Sequence, residues 1–189
     1  MPDFDPVLDA AADRFITFGY HGTTMRKIAE RANLSVPGLY HHYPSKQNML
    51  VAVLDAAMAD LRWRLDAADA EGGQDPVRRL ELLVHALVLY HCHRKGLGLI
   101  ALSEMRSLEE PSRRRIAHAR TEVQRLVDQA VLDGSARGLF RTRYPLDASR
   151  AVVTMAISVA SWFRQDLPLT PEDVATRYTE YALNVLSAT

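Results

Sequence analysis

Three hydroxyl side chains, Thr24, Ser35 and Ser45, each stand directly before a helical run early in this chain. A serine or threonine at such a point accepts a hydrogen bond from a backbone N–H that the first helical turn leaves without a partner, so each one marks where a helix begins. The spacing predicts one helix from near Thr24 to Asn33, a second from Ser35 to about His41, and a long one from Lys46 to about Ala70. Joins this short between helices this short are the pattern of a helix-turn-helix, a unit that lays its second helix in a DNA groove.

The rest of the chain has the same periodicity. Apolar residues recur at helical spacing from end to end, and no alternating run bounded by turn residues reads as a strand, so the class is all-α. Asp5 and Pro6 open a first helix whose apolar face, Val7, Leu8, Ala11, Ala12, Phe15 and Phe18, runs to a stop at Gly19. With the two short helices it is expected to close a small core of Phe15, Phe18, Ile28, Ala32, Leu39 and Tyr43. After a break at Glu71–Pro76, further helices are expected near 76–94, 97–108 and 112–136, the last ended by Arg137-Gly138. Two more follow the caps at Leu146-Asp147 and Leu169-Thr170-Pro171, which makes nine helices. They are expected in two domains, a three-helix domain at 1–48 and a larger helical one at 49–189.

The chain has 189 residues, is 48% hydrophobic, and has a formal net charge of zero, so overall charge does not argue for a nucleic-acid partner. Local charge does. Arg26, Lys27, Arg31 and Lys46 face the single acid Glu30 across residues 20–48, whereas Asp3, Asp5, Asp9 and Asp13 crowd the first thirteen residues. Cys92 stands alone and can close no internal disulfide, no leader pattern opens the chain, and no apolar run approaches bilayer length; a cytoplasmic protein without a membrane contact is expected.

The stretch Tyr20-His21-Gly22-Thr23-Thr24-Met25-Arg26-Lys27-Ile28-Ala29, then Ala32-Asn33-Leu34-Ser35, then Gly38-Leu39-Tyr40-His41-His42-Tyr43-Pro44-Ser45-Lys46 and Leu50, closely resembles the amino-terminal pattern of TetR-type transcriptional regulators. The resemblance implies a homodimer on a roughly palindromic double-stranded operator and a carboxy-terminal domain that takes a small-molecule effector. It also implies that Thr24, Tyr40, His41 and Lys46 contact phosphates, that Arg26, Val36 and Pro37 lie near bases, and that Gly38 allows close approach. Ser35, a cap at a helix start, is suited to a phosphate as well. Many relatives begin with a basic arm; here Met1-Pro2-Asp3-Phe4-Asp5 is acidic, which predicts modest DNA affinity or a natural start further upstream.

For the second domain, the candidate ligand-lining residues are Leu61, Leu87, Tyr90, His91, Leu102, Ser103, Met105, Met155, Val159 and Trp162. Among them, Tyr90, His91 and Ser103 are polar groups on otherwise apolar faces, whose burial a ligand could compensate. Val152, Val159, Phe163, Tyr178, Tyr181 and Val185 on the last two helices are the candidate dimer contacts, since two such helices from each copy would make a four-helix interface. The end of the chain is similar to members of the family that sense acyl-CoA or related lipid-catabolic thioesters, and the arginines at 113–115, 120 and 125 could hold coenzyme phosphates. A lipophilic-drug sensor and a DNA-bound regulator with no small ligand remain open alternatives. No cofactor is expected. A metal site is not expected either, because His91 and His93 point to different sides of a helix while His85 and Cys92 lie about 10 Å apart along it. Gly134-Ser135-Ala136-Arg137-Gly138 lacks the nucleophile-elbow pattern and no strand precedes it, so no enzyme is expected.

Overall fold

The computed structural model describes residues 5–164, 166 and 168–187. These form nine α-helices and one 3-10 turn, with no strand among them: α1 (Pro6–Gly22), α2 (Met25–Arg31), α3 (Val36–His42), α4 (Lys46–Gly72), α5 (Pro76–His93), α6 (Lys95–Ser103), the 3-10 turn (Glu104–Ser107), α7 (Glu110–Ala136), α8 (Pro145–Trp162) and α9 (Pro171–Ser187).

Most helices start where local chemistry puts them. The Asp5 carboxylate accepts from the Val7 N–H at 2.8 Å, Thr24 Oγ1 from Lys27 at 3.3 Å, and Ser35 Oγ from Gly38 at 3.1 Å. At the start of α9, the Asp173 N–H donates to Thr170 Oγ1 at 3.1 Å while the Thr170 N–H donates to the Asp173 carboxylate at 2.9 Å, a reciprocal capping box. One start differs from expectation. α8 begins at Pro145, whose ring presets the first helical residue, and Asp147 lies inside the first turn instead of capping it.

The chain divides into two compact units that do not follow sequence order: residues 1–60 with 96–118, and residues 61–95 with 119–189. In the first unit, Phe15, Ile28, Leu39, Met49, Leu50 and Leu54 share one core with Leu97, Ile100, Leu108 and Ile116. By packing, this unit takes in more chain than residues 1–48. α6 comes close to α1 at Gly96, where an added Cβ would stand 2.3 Å from the Ile16 side chain.

Gly19 breaks α1 with a backbone only glycine adopts readily (φ 69°, ψ 169°), and one irregular turn carries the chain on to Gly22. The expected core needs one correction. Phe18 is 44% exposed, with the Arg14 guanidinium 5.2 Å and the Lys27 ammonium 4.5 Å from its ring centre. It is a surface ring flanked by cations, while Phe15, one turn earlier, is buried.

In the second unit α5 packs against both α8 and α9, and its residues Leu80, Leu83, Val84, Leu87 and Val88 are buried without remainder. Arg79 donates to Asp69 and to Asp133, both at 2.8 Å, and so ties α4, α5 and α7 together. Ser149, fully buried on α8, donates to Asp128 of α7 at 2.6 Å, and Gln124 donates to both at 2.8 and 3.0 Å. A third polar group, His91, is 4% exposed, and its Nδ1 lies 2.8 Å from the Leu87 carbonyl, which fixes Nδ1 as the protonated nitrogen.

Burial pushes the His91 pKa below its ordinary value; the Leu87 carbonyl opposes this, and the charge on Arg120 adds to it. The folded state therefore refuses a proton that the unfolded chain accepts below about pH 6.5. Stability should fall as the pH drops through that value, and the loss should level off below the lower folded pKa. Denaturant unfolding at pH 7.5 and 5.5 should show a flatter pH dependence in His91→Leu than in the parent. Equal slopes would mean that His91 takes no part.

Candidate nucleic-acid interface

The first unit gathers its basic and hydroxyl residues through the break at Gly19. Past the break the chain leaves carbonyls without helical partners, and Lys46 at the start of α4 uses two of them. Its ammonium donates to Tyr20 O at 2.7 Å and Thr23 O at 2.8 Å, above the Tyr20 ring at 4.3 Å. Burial pulls the Lys46 pKa down, and Glu104 opposes the shift. Thr23, itself fully buried, shares its hydroxyl proton between Arg14 O and Gly19 O. The N-terminus of α4 is thereby pinned to the residue before the Thr24 cap, so Thr24 and Lys46 are brought together. Lys46 has one ammonium proton left for an outside acceptor, and the Thr24 oxygen that accepts from Lys27 still carries its own proton.

α3 is held to the unit by Leu39, its only fully buried residue, with Val36 and Tyr43 half-buried against the same core. Pro37, Tyr40 and His41 face outward, the Tyr40 side 46% exposed. Gly38 has a local reason besides close approach: a Cβ there would stand 3.0 Å from the Ser35 hydroxyl that caps the helix. Arg26 pairs with Glu30 at 3.1 Å on an open surface, an interaction too weak to hold it against a better anion. Arg31 is turned toward α1 by Asp13 at 3.1 Å. The Asp13 carboxyl is held below its ordinary pKa first by its hydrogen bond from Arg14, with Arg31 adding to this and burial opposing.

Two sets of contacts on this surface escape sequence reasoning. Lys27 donates to Gly22 O at 3.1 Å beside Phe18, and Thr23 locks the turn. No local pattern marks them, because their partners exist only once Gly19 has broken the helix.

The expected ligand residues are divided between the two units. Leu102, Ser103 and Met105 belong to the first unit, where Leu102 and Ser103 are exposed and Met105 packs on the core; the others belong to the second. There Leu61, Leu87, Tyr90, His91 and Val159 are buried, Met155 is half-buried and Trp162 is 38% exposed. Two described hollows in that unit have other walls. One, of about 450 Å³, runs between Arg78, Glu81, Leu82 and His85 of α5 and Thr176, Thr179, Glu180 and Leu183 of α9. The other, of about 280 Å³, lies among Cys92, His93, Phe163, Leu169 and Thr170. Burial, with Glu172 adding to it, pushes the Cys92 thiol up to about 11, so at neutral pH it is an inert thiol.

The dimer candidates separate by helix. Val152, Val159 and Phe163 are buried inside their own chain and cannot meet a partner, which corrects the expectation for all three. The opposite stripe of α8, Ala151, Thr154, Ser158, Ser161 and Trp162, is exposed. It continues into α9, where Trp162 stacks on Tyr178 at 6.1 Å, Tyr178 meets Tyr181 at 5.8 Å, and Val185 lies one turn beyond. Among the described residues no three His, Cys, Asp or Glu side chains gather to hold a metal ion, and no helix is long and apolar enough to cross a membrane.

Comparison with known proteins agrees with this geometry. The description "Bacterial regulatory proteins, tetR family" matches residues 7–53, and "Tetracyclin repressor-like, C-terminal domain" matches residues 73–186. The HTH-type transcriptional repressor KstR2 of Mycobacterium tuberculosis is 30% identical over 182 residues, covering 94% of this chain and 89% of that protein. A tetR-family regulatory protein from Rhodococcus RHA1 superposes with a TM-score of 0.90 at 27% identity, over 97% of this chain and 96% of that one. AibR, solved in complex with isovaleryl coenzyme A and operator DNA, superposes at 0.84 with 25% identity, over 93% and 95% of the two chains. A chain whose described residues form nine helices, which carries its basic and hydroxyl residues on a helix-turn-helix, and which these descriptions match over residues 7–53 and 73–186, belongs to the tetR family of DNA-binding transcriptional regulators, which are not enzymes.

Proposed function

We infer that this regulator is a dimeric repressor that leaves its operator when a small molecule binds the carboxy-terminal part of the chain. The outward face of α3, with Pro37, Tyr40 and His41 exposed and the α2 and α4 starts pinned together at Thr24 and Lys46, carries the reading. On DNA, α3 enters the major groove, Val36 and Pro37 lie toward base edges with Arg26 beside them, and Thr24, Ser35, Tyr40, His41 and Lys46 hold phosphates. Two copies pair through the ridge of exposed Trp162, Tyr181 and Val185 around half-buried Tyr178 and read a palindrome. KstR2 bears the name of a repressor, which supports repression here, and AibR was solved with an acyl thioester of coenzyme A, which supports an effector of that class. Release requires that the effector prefer the free form over the operator-bound form, since a ligand with equal affinity for both shifts nothing.

Electrophoretic mobility shift on the protein's own upstream DNA, repeated with acyl-CoA thioesters and with neutral lipophiles, tests the reading. Binding that one class abolishes is expected; binding that none affects would leave a regulator without a small effector. The salt dependence gives a second check. Arg26, Lys27 and Lys46 are the cations of each head near the α2, α3 and α4 starts, six in a dimer, so log K should fall against log salt with a slope no steeper than about −5. A slope near about −10 would show many more phosphate contacts than these residues supply.

A further inference from the structure

The arginines of α7 are unequal. Arg113 and Arg114 pair with Glu110, Arg115 with Asp55 at 2.5 Å, and Arg125 with Glu122, and all four arginines are exposed. Arg120 has no hydrogen-bond or ion-pair partner among the described residues, yet it is half-buried. The other arginines withdrawn from solvent are all engaged: Arg14 by Asp13, Arg62 by Asp66, Arg79 by Asp69 and Asp133, and Arg64 and Arg94 by contacts of their own. Its place on the helix sharpens the contrast. Ile116, Val123, Val127, Ala130 and Gly134 lie along the buried stripe of α7, and Arg120 fills the one gap of seven residues in it, four after Ile116 and three before Val123. A partly buried guanidinium with no acceptor costs stability, and a bound anion would remove that cost.

We propose that Arg120 anchors an anionic group of the effector, a carboxylate or a phosphate. The proposal rests on the effector reading above and narrows it to ligands that bring a negative charge to α7. A guanidinium remains charged at any physiological pH and presents paired donors to such a group. Burial, with no acid offsetting it, holds the Arg120 pKa below its ordinary value, as an empty anion site would. The proton on His91 Nδ1 is committed to Leu87, so Nε2, in the same unit, is free to accept a hydrogen bond from a ligand hydroxyl or amide.

Thermal-shift and calorimetric titration of the full-length protein with sodium hexanoate, hexanoyl-CoA and neutral hexanamide separates carboxylate, phosphate-bearing and uncharged ligands. At least one of the two anions should raise the Tm, and the amide should not. Arg120→Met should weaken that anion by about 10- to 100-fold while leaving the ligand-free Tm equal or higher, and Arg120→Lys should recover part of the affinity. Three results would overturn the proposal: no response of the parent to either anion, an equal response to hexanamide, or an Arg120→Met protein whose ligand-free Tm falls by several degrees with its anion response intact. The wider reading fails separately. A parent protein that does not bind its own upstream DNA refutes repression, whereas operator release by a neutral lipophile, unchanged in Arg120→Met, keeps repression and removes the anchor.

Discussion

Leu39→Ala should abolish operator binding while leaving the second unit folded. α3 has seven residues, too few to persist as a helix in water without tertiary support, and Leu39 is its only fully buried side chain. Truncating a buried leucine costs about 2–5 kcal/mol, the spread reflecting how far the site can collapse. Collapse here is restricted, because Leu39 meets a core assembled from α1, α2, α4 and α6. The exposed face that carries Pro37, Tyr40 and His41 would then lose its orientation with every one of its own side chains intact. Fluorescence-polarisation titration on operator DNA should show at least a hundredfold loss, while the Trp63 and Trp162 emission of the second unit stays native. Near-native affinity would mean that Val36 and Tyr43 hold α3 unaided.

Arg79→Met should give the largest loss of stability in the second unit. Arg79 is 14% exposed, and removing its guanidinium leaves Asp69 and Asp133 facing each other's surroundings with no cation. Hydrogen bonds to charged groups contribute about 1.5–3 kcal/mol each, and stranding a partly buried carboxylate adds to the loss. A net cost of about 3 kcal/mol corresponds to a Tm lower by about 6–12 °C in a chain of this size. The same site resists backbone crowding, since a Cβ on Gly72 would stand 2.6 Å from the Arg79 Cα. If Asp69→Asn with Asp133→Asn restores the Arg79→Met protein, the loss came from uncompensated charge; if it does not, the arginine stem was filling space.

What could be read from the residues was what depends on near neighbours. Asp5, Thr24, Ser35 and Thr170 cap helices through atoms two or three residues away, and Leu39 falls on the buried face of a two-turn helix whichever partner covers it. Phe18 was misplaced because helical spacing gives its direction but not how far the core reaches, and Phe18 stands at the edge of that core with Arg14 and Lys27 beside its ring. Lys46 was visible as a cation at a helix start, but its carbonyl partners lie more than twenty residues earlier and become acceptors only after the break at Gly19. Val152, Val159 and Phe163 show a different limit. A helix covered on one side by its own chain and on the other by a second copy has two apolar stripes, and spacing alone does not say which stripe faces which neighbour. The inequality among the α7 arginines was hidden for the same reason, since pairing is decided by distant acids such as Asp55.

The core that seats the reading helix draws Leu97, Ile100, Leu108 and Ile116 from the middle of the chain, so a head cut off at residue 60 lacks part of its own interior. During synthesis that interior closes only after residue 118 has left the ribosome. Engineers who exchange heads between relatives to rewire which promoter answers which signal would therefore have to carry residues 96–118 along, or redesign the seam. The gene, read as a string, is not cut where the protein is.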